Sequence, residues 1–184
     1  MSSKEIVLVG NGNVVLQNEM GNFIDSFDTV VRFNNFETTK YERFVGSKTD
    51  VWSTRLCATI KPRTETFKEV IGVVNWCKYT QAIEARIPLF LQEYPKATII
   101  HSEQSKQYSK IFGYDPTSNW LSVGMITILH LLDYGYEKLH LYGFGGNPQK
   151  HYFPLSPRDP HFHKFDKESD YIKKLEKLGK IYRL

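Results

Sequence analysis

Glu5-Ile-Val-Leu-Val-Gly-Asn-Gly-Asn13 decides the fold. Four consecutive apolar residues, Ile6 to Val9, lack the polar alternation of a half-solvated strand. Such a run suits a strand buried on both faces, as in a parallel sheet with helices above and below. The Gly10-Asn-Gly-Asn13 segment then turns the chain sharply. In sheets of this kind ligands bind beyond the carboxyl ends of the strands. The turn therefore reads either as a plain strand-to-helix connection or as a phosphate or nucleotide loop whose backbone approaches the ligand. It is neither a GxGxxG fingerprint nor a Walker loop.

The same alternation continues outward from this strand. Val15 to Ile24 is a short amphipathic helix candidate, followed by strands over Asp28–Phe33, Thr49–Thr54 and Val70–Asn75. Gln81 to Tyr94 allows a helix entered or kinked at Pro88. A strand at Ala97–Ile100 and a polar helix over Ser102–Phe112 come next. Asn119 to Tyr134 carries Leu121, Met125, Ile128, Leu129 and Leu132 at helical spacing, and Gly135 stops it. Glu137–Tyr142 is the last major strand. Asp166–Leu178 is an amphipathic helix, and Lys180–Leu184 adds a small edge strand. Strands alternating with helices predict an α/β fold: one Rossmann-like domain over residues 1–184, with a largely parallel central sheet and helices on both faces.

The 184 residues are 41% hydrophobic and 14% aromatic, enough for a packed core. The net charge of +4 and pI near 8.9 suit a small anionic ligand. Basic residues are interleaved with acids, which argues against nucleic acid. Two cysteines, Cys57 and Cys77, make neither a disulfide framework nor a zinc site. No stretch approaches the ~20 apolar residues of a membrane helix, and no signal peptide opens the chain. The expectation is a soluble, cytoplasmic protein, or a catalytic piece without its anchor.

Several positions could carry chemistry. Asn34 and Asn35 end the second strand; their amides suit ribose hydroxyls or a base edge, or simply an Asx turn. Ser122 and Gly124 open the strongest helix, where Ser122 serves as N-cap and the first-turn amides form an anion site. Trp120, just before, stacks on a ring or fills the core. His151 and His163 lie in the long polar stretch between the last major strand and the final helix. An imidazole titrates near ~6.5, which suits proton transfer at neutrality. His161 competes with His163, whereas His101, His130 and His140 read as structural. No DxD carboxylate pair is present to hold a divalent ion, and no HExxH supports zinc. No metal or other cofactor is expected.

Taken together these residues resemble the animal-type sialyltransferase family, defined by its sialylmotifs. The large motif is matched by Val9-Gly-Asn-Gly-Asn13, Ile24-Asp-Ser-Phe-Asp28, Val31-Arg-Phe-Asn34 and Val45-Gly-Ser-Lys-Thr49. The small motif is matched by Trp120-Leu-Ser-Val-Gly-Met125 and Leu139-His-Leu-Tyr-Gly-Phe-Gly145, the third by His151-Tyr152, and the very small one by His163 and Glu168. The resemblance implies an inverting, metal-independent transferase that moves sialic acid from a CMP-sugar donor to a glycan hydroxyl. By position, Asn11, Asn13 and Asn34 would contact CMP. Ser122, Gly124, Gly143 and Gly145 would shape the nucleotide pocket. His163 would be the general base, His151 would stabilise the departing phosphate, and Glu168 would support the pocket or orient His163. A monophosphate leaving group is less charged than a nucleoside diphosphate, so a histidine and helix-start amides suit it without a metal.

The chain departs from the family pattern. Gly-Asn-Gly-Asn lacks one residue of the usual Gly-Asn-Ser-Gly-Asn, Val123 replaces Thr, and Trp120 replaces Tyr. The disulfide between the large and small motifs is missing, with Ile6 and Leu132 near the matching positions. That agrees with a reducing compartment rather than the Golgi lumen. A CMP-Kdo-dependent transferase and a catalytically inactive CMP- or glycan-binding module are the alternatives. Arg32, Lys48 and Arg55 are candidates for the sugar carboxylate; Gln104, Tyr108 and Trp120 are candidates for the acceptor pocket.

Overall fold

The computed structural model describes residues 5–57, 59–145, 150–154 and 163–184. Seven strands join one sheet: β1 (Ile6–Val9), β2 (Thr29–Phe33), β3 (Val51–Arg55), β4 (Glu69–Val73), β5 (Thr98–Ile100), β6 (Leu139–Tyr142) and β7 (Ile181–Arg183). Every pairing is parallel, in the order β5-β4-β3-β2-β1-β6-β7. The chain builds outward from β1 to β5, then returns to place β6 on the other side of β1. The order therefore reverses between β1 and β6, and a crevice opens beyond their carboxyl ends.

The buried run Ile6–Val9 has one physical cause: both faces of β1 are covered. Ile6 and Leu8 pack with Val31, Phe33, Ile71 and Val73 against α5 (Ser102–Ile111), α6 (Val123–Asp133) and α7 (Phe165–Lys177). Val7 and Val9 pack with Val30 on the opposite face, under Val15, α1 (Gly21–Asp25) and α2 (Glu42–Val45). Farther along that face, Trp52 and Val70 meet Phe90 of α4 (Ile87–Glu93), which follows α3 (Thr80–Glu84). The α/β fold with helices on both faces is thus observed. Ile6 and Leu132, near the positions of the family's disulfide, share the first core cluster, so apolar packing fills that region.

Three boundaries differ from the sequence reading. The expected helix over Val15–Ile24 is a 3-10 turn (Asn13–Gln17), a break, and then α1. The Tyr142 hydroxyl lies 2.9 Å and 3.0 Å from the carbonyl oxygens of Val15 and Asn18, drawing them away from helical pairing. The helix expected from Asn119 begins at Val123, because the Ser122 side chain accepts the Met125 N–H at 3.1 Å and caps it there. Gln81–Tyr94 becomes two helices, with Pro88 in the first turn of the second.

Candidate functional site

The turns after β1 and β6 are pressed together backbone to backbone. Gly10 N donates to Tyr142 O at 2.7 Å and Gly12 N to Gly143 O at 3.1 Å. A Cβ on Gly10 would lie 2.7 Å from Gly143 O, and one on Gly143 would lie 2.6 Å from Gly10 O. Gly143 also has φ +75°, a region L side chains seldom adopt. These glycines make room for each other first; any ligand pocket they shape is a consequence of that contact. Gly145 touches the same turn, where a Cβ on Gly12 would collide with its carbonyl.

Asn11 sits where the two turns meet. Its Nδ2 donates to Phe33 O at 3.0 Å, while its Oδ1 is buried without a partner among the described residues. A buried unpaired acceptor is costly, so a ligand donor reaching this rim gains by satisfying it. The Asn11 carbonyl receives Tyr152 N at 3.2 Å and lies 3.2 Å from His151 Nδ1. A carbonyl only accepts, so Nδ1 of His151 bears a proton. Tyr152 extends beneath this corner and donates its hydroxyl to Glu37 O. Asn13 opens the 3-10 turn one residue beyond Gly12.

A second cluster surrounds the start of α6. Glu168, only 5% exposed, accepts Ser122 N–H at 2.8 Å on one oxygen and the Ser122 hydroxyl at 2.6 Å on the other. Burial pushes the Glu168 carboxyl up to about 7, although the two Ser122 hydrogen bonds pull the other way. With Met125 N–H taken by the Ser122 hydroxyl, the N–H groups of Val123 and Gly124 are the helix's remaining first-turn donors. Gly124 packs against Phe144, where a Cβ would lie 2.9 Å from the ring. The start of α6 is thereby tied to the end of β6. Just before it, the Trp120 carbonyl lies 3.0 Å from His163 Nδ1, so that nitrogen likewise bears a proton. Buried Trp120 packs with Leu56, Val74 and Cys77.

Asn34 closes β2 in the left-handed region (φ 50°) and accepts Arg55 N–H at 3.0 Å, so it also holds β3 at the rim. Asn75, which the sequence reading did not single out, lies at the same rim. It is 1% exposed, donates to Leu121 O at 2.9 Å, and has no partner for its Oδ1 among the described residues. Only its place just after a buried strand could have marked it.

Of the carboxylate candidates, only Arg55 reaches the carboxyl rim. Arg32 is fully buried beneath the sheet, where its guanidinium donates to Val45 O, Lys48 O and the Thr49 hydroxyl. Desolvation lowers it to about 10. Lys48 turns to the Phe27 and Asp28 carbonyls at the entry to β2. Gln104 and Tyr108 join His130 and Asp133, far along α6 from Ser122. The structure thus gathers Asn11, Asn13, His151, Gly143 and Gly145 at one corner, and Ser122, Gly124, Glu168, Trp120 and His163 at another, bridged by Phe144. His161 lies outside the described residues.

Two clefts open beside this rim. One of about 280 Å³ runs between Asn35–Glu37, Lys61–Glu65 and Phe153–Pro154. The other, about 80 Å³, lies between the segment after β3 and α4. Among the described residues no group of three or more His, Cys, Asp or Glu side chains is placed to hold a metal. No described helix is long and apolar enough to cross a membrane.

A family model described as glycosyltransferase family 29 (sialyltransferase) matches residues 2–72. The CMP-N-acetylneuraminate-beta-1,4-galactoside alpha-2,3-sialyltransferase of Rattus norvegicus is 22% identical over 215 residues, covering 97% of this chain and 56% of the relative. The beta-1,6-galactosyltransferase GALT29A of Arabidopsis thaliana is 41% identical over 44 residues, 24% of this chain and 11% of the relative. A crystal structure of a mammalian sialyltransferase in complex with Gal-beta-1-3GalNAc-ortho-nitrophenol superposes with TM-score 0.76 at 21% identity, covering all of this chain and 70% of that one. The chain spans about half the length of the curated relatives it matches.

Proposed function

We propose that the chain belongs to the sialyltransferase family and that it transfers sialic acid from CMP-sialic acid to a glycan hydroxyl, with inversion and without a metal, as a single catalytic domain. The observation that carries this reading is the pair of histidines, each held through Nδ1 by a backbone carbonyl at the carboxyl rim. Both rings therefore keep Nε2 as the chemically active nitrogen.

In this reading CMP lies in the crevice between the β1 and β6 turns, where the unpaired Asn11 Oδ1 meets a nucleotide donor. Asn13 and Asn34 flank it. The departing phosphate gathers charge between His151 and the first-turn amides of α6, Val123 and Gly124. Protonated on both nitrogens, His151 donates its Nε2–H to a phosphate oxygen as that charge develops. On the other side His163 Nε2 removes the proton from the acceptor hydroxyl as its oxygen attacks the anomeric carbon. Attack opposite the leaving group inverts the centre. Glu168 holds Ser122, and through it the helix start that faces the phosphate. Two free cysteines, Cys57 and Cys77, suit action in a reducing compartment.

The test is transfer from CMP-sialic acid in the presence of EDTA. Turnover persists in the wild type, and His163→Ala loses about two to four orders of magnitude in kcat while CMP affinity is kept. Activity abolished by EDTA and restored by a divalent cation would sink the metal-free step. A thermal-shift series with CMP, CMP-sialic acid and CMP-Kdo distinguishes the donors. CMP binding with neither transfer nor donor hydrolysis would leave only a binding module.

A further inference from the structure

The smaller cleft has a lining that the transfer chemistry does not use. Its apolar wall comes from Trp52, Leu56, Phe90 and Tyr94. Its charged groups are Arg55, Lys61 and Arg86, against one carboxylate, Glu93. The neighbouring Arg63 is neutralised by its pair with Glu65. Among the described ion pairs none includes Arg55, Lys61 or Arg86. Three cations beside a partly desolvated wall form a field that favours an anion. The Cys57 thiol on the same wall responds to it: burial raises its pKa, yet hydrogen bonding to Thr59 and the Arg55 charge bring it below the ordinary thiol value.

The cleft's position says which substrate it faces. Leu56 on its wall packs in one cluster with Trp120, the residue whose carbonyl holds His163. His151 and Asn11 lie at the end of β1, two strands away from β3 and roughly 10 Å across the sheet. The cleft is therefore on the side of the base, away from His151.

We propose that this cleft receives an anionic substituent of the acceptor glycan, a carboxylate, sulfate or phosphate ester near the hydroxyl that is glycosylated, and so selects acidic over neutral saccharides. The assignment to the acceptor rests on the transferase reading above. Arg86 and Arg55 present planar donor forks suited to such groups, and Lys61 adds a mobile point charge. The aromatic and aliphatic wall takes the sugar that carries the acid.

The experiment compares one neutral oligosaccharide with its sulfated and its carboxylated forms as acceptors, in the wild type and in Arg86→Gln and Lys61→Gln. Expected is a KM roughly ten-fold lower for the acidic forms in the wild type, equivalent to one charge-assisted contact. That preference shrinks in either variant and at high salt, with the KM for donor and for neutral acceptor unchanged. Equal KM values for acidic and neutral acceptors overturn the proposal. A rise in donor KM in Arg86→Gln also overturns it, because the anion would then be the donor's own carboxylate. Calorimetric titration with the same saccharides reads the cleft without turnover. Selective binding without transfer defeats the enzymatic reading and keeps the cleft; transfer without selectivity does the reverse.

Discussion

Glu168 shows what a single buried carboxylate does here. It lies 46 residues from Ser122 in sequence, yet grips that residue's amide and hydroxyl together. Its proton affinity is raised to about 7 from 4.5, chiefly by desolvation. For an acid raised in the folded state, the unfolded chain ionises first as pH increases. The fold therefore loses stability between about pH 4.5 and pH 7, by on the order of 3 kcal/mol. Glu168→Gln keeps an acceptor for the Ser122 amide and removes the ionisation. Its urea midpoint should fall below that of the wild type or match it at pH 5, then gain on it by pH 8. Parallel pH profiles for the two proteins would show that Glu168 is not the group responsible. The sequence marked Glu168 and Ser122 separately, as pocket support and helix cap. Their mutual bond was not legible, since it depends on how α7 crosses the start of α6. Asn75 was missed for the same reason: an asparagine after a strand looks like any Asx turn until its amide is found buried.

Among the elements, the turn after β6 has the narrowest tolerance. Gly143 combines φ +75° with contact against Gly10 and Val15. Gly113 has a similar φ of +62°, but a Cβ there would meet nothing within 4 Å. Gly113→Ala should therefore cost about 1 kcal/mol, the backbone preference alone. Gly143→Ala adds a steric clash with a main chain that has nowhere to move, for about 2–4 kcal/mol. Denaturant melts of the two variants isolate the contact term by difference; equal losses would mean the two turns slide apart freely. The strands were legible because apolar runs of that length between turn residues have few other uses. The division of Val15–Ile24 was not, because it is imposed by the Tyr142 hydroxyl, a residue 127 positions from Val15.

At the scale of the molecule, the alternation of strands and helices was enough to name a parallel sheet, since parallel neighbours require crossovers. Strand order was another matter. Nothing local states that the chain should run from β1 out to β5 and then return to the far side of β1. That return is what joins His151 to Asn11 and creates the crevice proposed for CMP. A ligand confined to that crevice stabilises the whole sheet by mass action, about 2.7 kcal/mol when present at a hundred times its Kd. Saturating CMP should accordingly raise the melting temperature by several degrees, with EDTA making no difference; no shift would place the nucleotide elsewhere.

β1 pairs with β2 almost at once, Ile6 beside Thr29, but its other edge waits for β6, where Val7 meets His140. The second pairing closes a loop of 133 residues, and loop closure on that scale is slow because its entropy is lost before the contacts form. During synthesis and refolding, β1 is consequently an open edge strand with two unsatisfied glycines at its tip. In stopped-flow refolding the fluorescence of Trp52 in β3 should recover first, and CMP binding only in a later phase. Nucleotide binding within the earliest phase would contradict this order. The crevice is then a timekeeper as well as a site: it exists only once the last central strand has docked.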